Sequence, residues 1–316
     1  MRSFGPSGSD LSRAIGAGPA LCRADLHVHT RHSERGHLRM PRLRRGLPEP
    51  DTLYRSARSR GMQLVTFTDL DTIDGCLALL DRHPDAPDFF VSEELRATEP
   101  RTRASVSVLV YDLTEAQHRD LRALRGDVRD VAAYARSAGL LASLGSVLGV
   151  LDAGGSEGIV RDLIRLFDCF EIRNGAEDRS CNELMARLVQ ETTAGRGFGV
   201  TAGSNAHTVG RVGRTATVAR ARDRAGFLEA LRRHRTWAVG VHGDVWSSFT
   251  EVLGKVPLHL SAAPLLDHAV RRARRNAGAR RAGRRLDVID KEKFQRKARS
   301  FDVAGRGANP GPDSAR

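Results

Sequence analysis

Short apolar runs alternate with stretches of helical periodicity from about residue 22 onward. Ala24-Asp25-Leu26-His27-Val28-His29-Thr30 reads as the end of a β-strand, and a period of two points both imidazoles to one face. Pro50-Asp51 opens a predicted helix that Gly61 closes, and a strand follows over 62–68. Further strands are predicted at Phe89–Leu95, 105–111, 140–144 and 168–172, with helices over 127–138, 157–167 and 182–192. Gly197-Phe198-Gly199-Val200 is a last β-like run, leading into the small-residue turn Thr201 to His207. Such βα alternation predicts parallel pairing. An open doubly wound sheet is the competing architecture, but no GxGxxG follows the first strand, and no internal repeat is present.

Several predicted strand ends carry His, Asp, Glu or Asn. His27 and His29 close the first, Asp69 and Asp71 the second, Glu93 and Glu94 the third, and Asn205 and His207 follow the last. Ligand-type residues at consecutive strand ends describe the rim of a β/α barrel, where the chemistry of such folds sits. Two imidazoles on one face suit a borderline divalent metal such as zinc, manganese or iron. Read without function, His27 and His29 are core histidines and Asp69 is a helix N-cap.

Composition sets the frame. At 316 residues the chain suits one large α/β domain with extensions, and 40% hydrophobic against 5% aromatic residues predicts a mainly aliphatic core. Residues 1–21, rich in Gly, Ser and Ala, read as a flexible leader, 22–245 as the barrel domain, and 246–316 as a basic, largely disordered tail. That tail has 16 basic against 7 acidic residues, a net +9 of the chain's +13, with eight arginines and no acid between Arg271 and Arg285. It is either a solvated tail or an anchor for nucleic acid or another polyanion; the scarcity of aromatics argues against base stacking. Cys22, Cys76, Cys169 and Cys181 lack CxxC spacing, which points to reduced thiols in a cytoplasmic protein. No apolar run approaches the roughly 18 residues needed to span a bilayer, and no signal-peptide core follows Arg2, so no membrane contact is expected. Gly145-Ser146 and Gly203-Ser204 lie outside any GxSxG elbow, which argues against a nucleophilic serine. Arg35, Arg173 and Arg214 are candidates for bidentate phosphate contacts.

The motifs Asp25-Leu26-His27-Val28-His29-Thr30 with Ser33-Glu34, Thr68-Asp69-Leu70-Asp71-Thr72, Ser92-Glu93-Glu94-Leu95, Val106-Ser107-Val108-Leu109 and Gly203-Ser204-Asn205-Ala206-His207 occur in that order. Together they resemble the PHP (polymerase and histidinol phosphatase) family over about residues 22–245. The resemblance implies a distorted (β/α)7-type, TIM-like barrel with a multinuclear metal site that hydrolyses phosphate esters. It would place histidine at Leu70, Ser107 and Ser146, with Gly145 as the alternative register to Ser146, and aspartate at Asn205. Glu34 stands where the family has aspartate and keeps the carboxylate.

By this resemblance the surviving metal ligands are His27, His29, Glu34, Glu94, Asn205 and His207. His27, His29, Glu94 and Asn205 could hold one ion, while Glu34 and His207 form a poor second half-site. Asp69 supports the ligands rather than binding an ion. The implied cofactor is a divalent transition metal, one ion or none. A single ion can still activate water, but a clamp on both phosphoryl oxygens needs more than one. The expected function is therefore phosphoesterase chemistry on a phosphorylated small molecule with weakened or absent turnover. The alternative is a catalytically inactive, metal-poor pseudoenzyme that serves as a binding scaffold.

Overall fold

The computed structural model describes residues 20–33 and 47–243. The leader up to residue 19, Glu34, Arg35 and the tail from 246 lie outside the described residues.

Ten strands form one sheet: β1 (Leu21–Asp25), β2 (Leu64–Val65), β3 (Thr68–Leu70), β4 (Ser92–Thr98), β5 (Ser105–Tyr111), β6 (Leu141–Leu144), β7 (Cys169–Asn174), β8 (Gly199–Gly203), β9 (Thr215–Arg220) and β10 (Thr236–Gly240). Among the described residues eight helices accompany them: α1 (Pro50–Ser59), α2 (Asp74–Leu80), α3 (Glu115–Leu124), α4 (Val128–Ser137), α5 (Leu148–Asp152), α6 (Glu157–Arg165), α7 (Arg179–Thr192) and α8 (Arg224–Arg232). Their ends follow local chemistry. Pro50 starts α1, whose first turn has no intrahelical use for its N–H. The side chains of Asp127, Ser156 and Asp178 accept N–H bonds at the starts of α4, α6 and α7.

The strand order is β2-β1-β9-β8-β7-β6-β5-β4-β3, with β10 on β9. The sheet curls until its ends meet. Val28 bridges Ala206 in parallel, and the Thr68 N–H donates to the Val28 carbonyl at 2.8 Å. The result is the expected barrel-like α/β fold, but the pairing is mixed rather than parallel throughout. β3–β4, β6–β7 and β7–β8 are parallel, whereas β4–β5, β5–β6, β1–β9, β8–β9 and β9–β10 are antiparallel. Between β4 and β5 the chain has only residues 99–104, too few for the crossover of a dozen or more residues that parallel pairing requires.

Alternation along the strands decides what each face meets. Leu95, Val106, Val108, Val110, Phe170 and Ile172 pack in one buried cluster with Val131 of α4, Leu163 of α6 and Leu184 and Leu188 of α7. Each such large aliphatic side chain contributes about 1.5–3 kcal/mol when buried. The intervening positions, Glu94, Ser107 and Glu171, therefore point to the opposite face. Among the described residues no helix is long and apolar enough to cross a membrane.

Candidate metal centre

Glu94, Ser107 and Glu171 reach their common face from three strands, and the segment after β1 brings His27 and His29 to meet them. His27 Nε2 and His29 Nε2 lie 3.1 Å apart, and Glu94 Oε2 is 3.5 Å from the first and 3.4 Å from the second. Both imidazoles are buried and Glu94 is nearly so. Two ring nitrogens this close beside one carboxylate oxygen need a cation between them, a proton or a metal ion. Two imidazoles and a carboxylate are a donor set for zinc, manganese or iron, so the residues fit the implied metal.

Each ligand is held from behind. His27 Nδ1 contacts Glu171 Oε1 at 2.8 Å, and the Asn174 side-chain amide donates to Glu171 Oε2 at 2.9 Å. His29 Nδ1 meets the Ser33 hydroxyl at 3.1 Å, which accepts the Leu70 N–H at 2.8 Å. The Ser107 hydroxyl donates to Glu94 Oε1 at 2.5 Å, leaving Oε2 toward the histidines. Asp69 accepts both the N–H and the hydroxyl of Thr30 at 2.6 Å, fixing the loop that follows His29. That is its expected supporting position; α2 is preceded by Ile73, so Asp69 is not its cap. Asp25 likewise accepts from Ser204 (N–H 2.8 Å, hydroxyl 2.5 Å) and from the Gly213 N–H (2.7 Å), tying β1 to the loop after β8. Ser204 is thus committed to structure.

Charge follows from this packing. Burial alone would push the His27 imidazole down, but the Glu171 and Glu94 carboxylates outweigh it and hold it well above the histidine range. For Glu94, burial is likewise outweighed by His27, His29 and the Ser107 hydroxyl, which hold it below the usual carboxylate range. Burial pushes Asp25 up to about 6 and Asp69 to about 7, against their hydrogen-bond donors.

The remaining sequence candidates lie as follows. Asn205 has a left-handed φ of 48°, and its Oδ1 is buried without a hydrogen-bond partner among the described residues. The His207 ring lies 4.5 Å from that of His29, and its Nδ1 donates to the Asn205 carbonyl at 3.1 Å. Leu70 is buried at 5% exposure and offers no ligand atom. The Ser146 hydroxyl is buried without a partner among the described residues. At Gly145, a β-carbon would stand 2.7 Å from Ser107 Oγ, so position 145 projects toward the Ser107–Glu94 pair. Arg173 is partly buried, donating to the Gly240 carbonyl at 3.2 Å, and Arg214 is exposed. Glu171 and Asn174 escaped the sequence reading, and Ser33 entered it only as the neighbour of Glu34 in the first motif. Glu171 sits within a strand and belongs to no recognisable motif; only its place among the apolar residues Phe170 and Ile172 marks it.

Comparison with known proteins bears on the fold and on one segment of the chain. Residues 187–236, from within α7 to the start of β10, match the PHP-associated (PHP_C) family. No curated protein matches the chain in sequence. The fold is similar to that of PsfC from Pseudomonas syringae, with a TM-score of 0.51 and 15% identity over 74% of this chain and 98% of PsfC. It is also similar to a two-domain protein from Bacteroides vulgatus named for a predicted PHP-like metal-dependent phosphoesterase (TM-score 0.50, 15% identity, 71% of this chain and 66% of that one). The matched segment includes Asn205 and His207, and the barrel-like fold is shared with these structures, so the chain is similar to PHP-type proteins in this segment and in its fold.

Proposed function

We propose that the protein belongs to the metal-dependent phosphoesterase lineage and works with a single divalent ion, hydrolysing a phosphorylated small molecule slowly. The observation that carries this reading is the convergence of His27 Nε2, His29 Nε2 and Glu94 Oε2. A bound zinc, manganese or iron ion would supply Lewis-acid polarisation of a phosphoryl oxygen and acidify water. The protein's own part is to present the three donors. Glu171 accepts at His27 Nδ1 and the Ser33 oxygen faces His29 Nδ1, which leaves both Nε2 lone pairs to the ion. Asn205, with its unpartnered Oδ1, is the candidate for a fourth donor.

Low turnover follows from the positions that the family resemblance would fill with further ligands. Leu70 has none to give, Ser107 spends its hydroxyl on Glu94, and Gly145 lets Ser107 occupy the space in front of it. Removing one preorganised group that stabilises developing charge costs about 10²–10³ in rate, and a missing ion should cost at least that. The same substitutions support the alternative of a metal-poor binding scaffold. Elemental analysis of the purified protein, with hydrolysis of a generic aryl phosphate, separates the two. About one metal equivalent and slow hydrolysis, both lost in His27→Ala, are expected. Two or three equivalents would contradict the single-ion reading, and no metal with no hydrolysis would leave only the scaffold.

A further inference from the structure

The hydrogen bond behind His27 does not end at Glu171. Glu171 is buried at 4% exposure, with both carboxylate oxygens engaged, Oε1 by His27 Nδ1 at 2.8 Å and Oε2 by the Asn174 amide at 2.9 Å. Asn174 is itself pinned. Its N–H donates to Asn182 Oδ1 at 2.7 Å, its carbonyl accepts from Asn182 Nδ2 at 3.0 Å, and its Oδ1 accepts the Ala176 N–H at 2.9 Å. Asn182, in α7, also donates to the carbonyls of Glu177 and Asp178, so the amide is locked to the helix start. β7 carries a register irregularity between Glu171 and Arg173. Through it Asn174 comes to the same side as Glu171, which strict alternation would not allow from three positions away.

We propose that Glu171 is a positioning residue for the metal centre, held by the Asn174–Asn182 clasp so that His27 carries its proton at Nδ1 and directs Nε2 to the ion. The inference rests on the single-ion reading and extends it to a strand that supplies no ligand. A carboxylate behind a ligating imidazole fixes its tautomer and ring plane and raises its basicity, and losing such a partner costs about 10–100-fold in metal affinity. A carboxylate buried here with both oxygens bonded has no other partner among these contacts. If its role were structural alone, the isosteric amide would cost stability at the Asn174 contact but leave metal affinity where it is.

The test is the affinity of the full-length protein for Zn²⁺ and Co²⁺, measured by competition with a chromophoric chelator, for the parent, Glu171→Gln and Asn174→Ala. Glu171→Gln keeps the shape and lets the side-chain oxygen accept from Nδ1, so the fold should survive. Affinity should nevertheless fall about 10–100-fold, with a shifted Co²⁺ visible spectrum, while the metal-free protein still unfolds cooperatively at a melting temperature lowered by the donor–donor contact with Asn174. Asn174→Ala, which leaves the charge but releases its clasp, should give a smaller loss in the same direction. Parent-like affinity and spectrum in folded Glu171→Gln would overturn the proposal while leaving the single-ion site standing. A parent that takes up no metal would overturn both.

Discussion

The Ser107 hydroxyl donates to Glu94 Oε1 at 2.5 Å, so a side chain standing at an expected metal-ligand position now serves the carboxylate of the remaining site. Ser107→Ala removes this donor from a nearly buried carboxylate oxygen. The expected cost is about 1–3 kcal/mol of stability, read as a lower melting temperature. Metal content at saturation should stay at that of the parent, since Oε2 and both histidines are untouched. A second equivalent in this variant would show that Ser107 had been blocking a site rather than supporting one.

Restoring the positions that the family resemblance marks should raise metal uptake only when they are changed together. Leu70→His, Ser107→His and Asn205→Asp belong in the set, with either Ser146→His or Gly145→His as the fourth. Because position 145 projects onto Ser107, the Gly145→His version should bind more metal than the Ser146→His one. Leu70→His carries the main risk to folding, since an imidazole buried there without an ion is an unsatisfied polar group. Elemental analysis and aryl phosphate hydrolysis decide the matter. Parent-like metal content in both folded quadruple variants would refute the assignment of these positions.

Gly203 lets β8 approach β1 closely. A β-carbon there would lie 2.3 Å from His27 Cβ and 2.4 Å from its backbone nitrogen. Gly203→Ala must therefore push the two backbones apart, at about 1–3 kcal/mol as for overpacked cores. Calorimetry should show the lower melting temperature, and metal affinity should fall with it because His27 moves. A stable Gly203→Ala protein with parent-like affinity would show that the seam has slack.

Acidification should expose His242. Burial, with the Arg173 and Arg179 charges adding to it, pushes its imidazole down to about 4 despite Asp178 nearby. The unfolded chain, with an ordinary histidine near 6.5, then binds more protons than the folded one between about pH 6.5 and 4. This residue's contribution to stability is therefore complete above about 6.5 and lost as the pH falls through that window. Urea midpoints of parent and His242→Gln at pH 7 and pH 5 give the check: the parent should lose more. Equal losses would show that His242 titrates alike in both states.

How much was legible in the sequence depended on whether a residue's partners were near it in the chain. His27 and His29 are two positions apart at a strand end, and Glu94 follows an apolar run, so both signals are local. Helix positions were also readable, with α4 predicted over 127–138 and found over Val128–Ser137. Pairing direction was harder. The six-residue link between β4 and β5 could have signalled a hairpin, but β5–β6 is antiparallel across two intervening helices, and nothing local encodes that. Glu171 lay beyond reach because its meaning comes from His27, far away in sequence, and from a strand irregularity that brings Asn174 beside it.

The bridge of Val28 to Ala206, with β1 paired along β9 from Leu21–Arg220 to Ala24–Thr217, has a consequence for how the protein is made. The histidines leave the ribosome well before β8 and β9, the strands that hold them in place. Contacts of such sequence separation are slow to form, because loop closure must precede any reward. No early intermediate can contain an assembled pair of imidazoles backed by Glu171 and seated against β8. Metal capture is then a late event that marks closure of the ring, and a chain cut short before β9 would keep every histidine of the motif yet hold no ion.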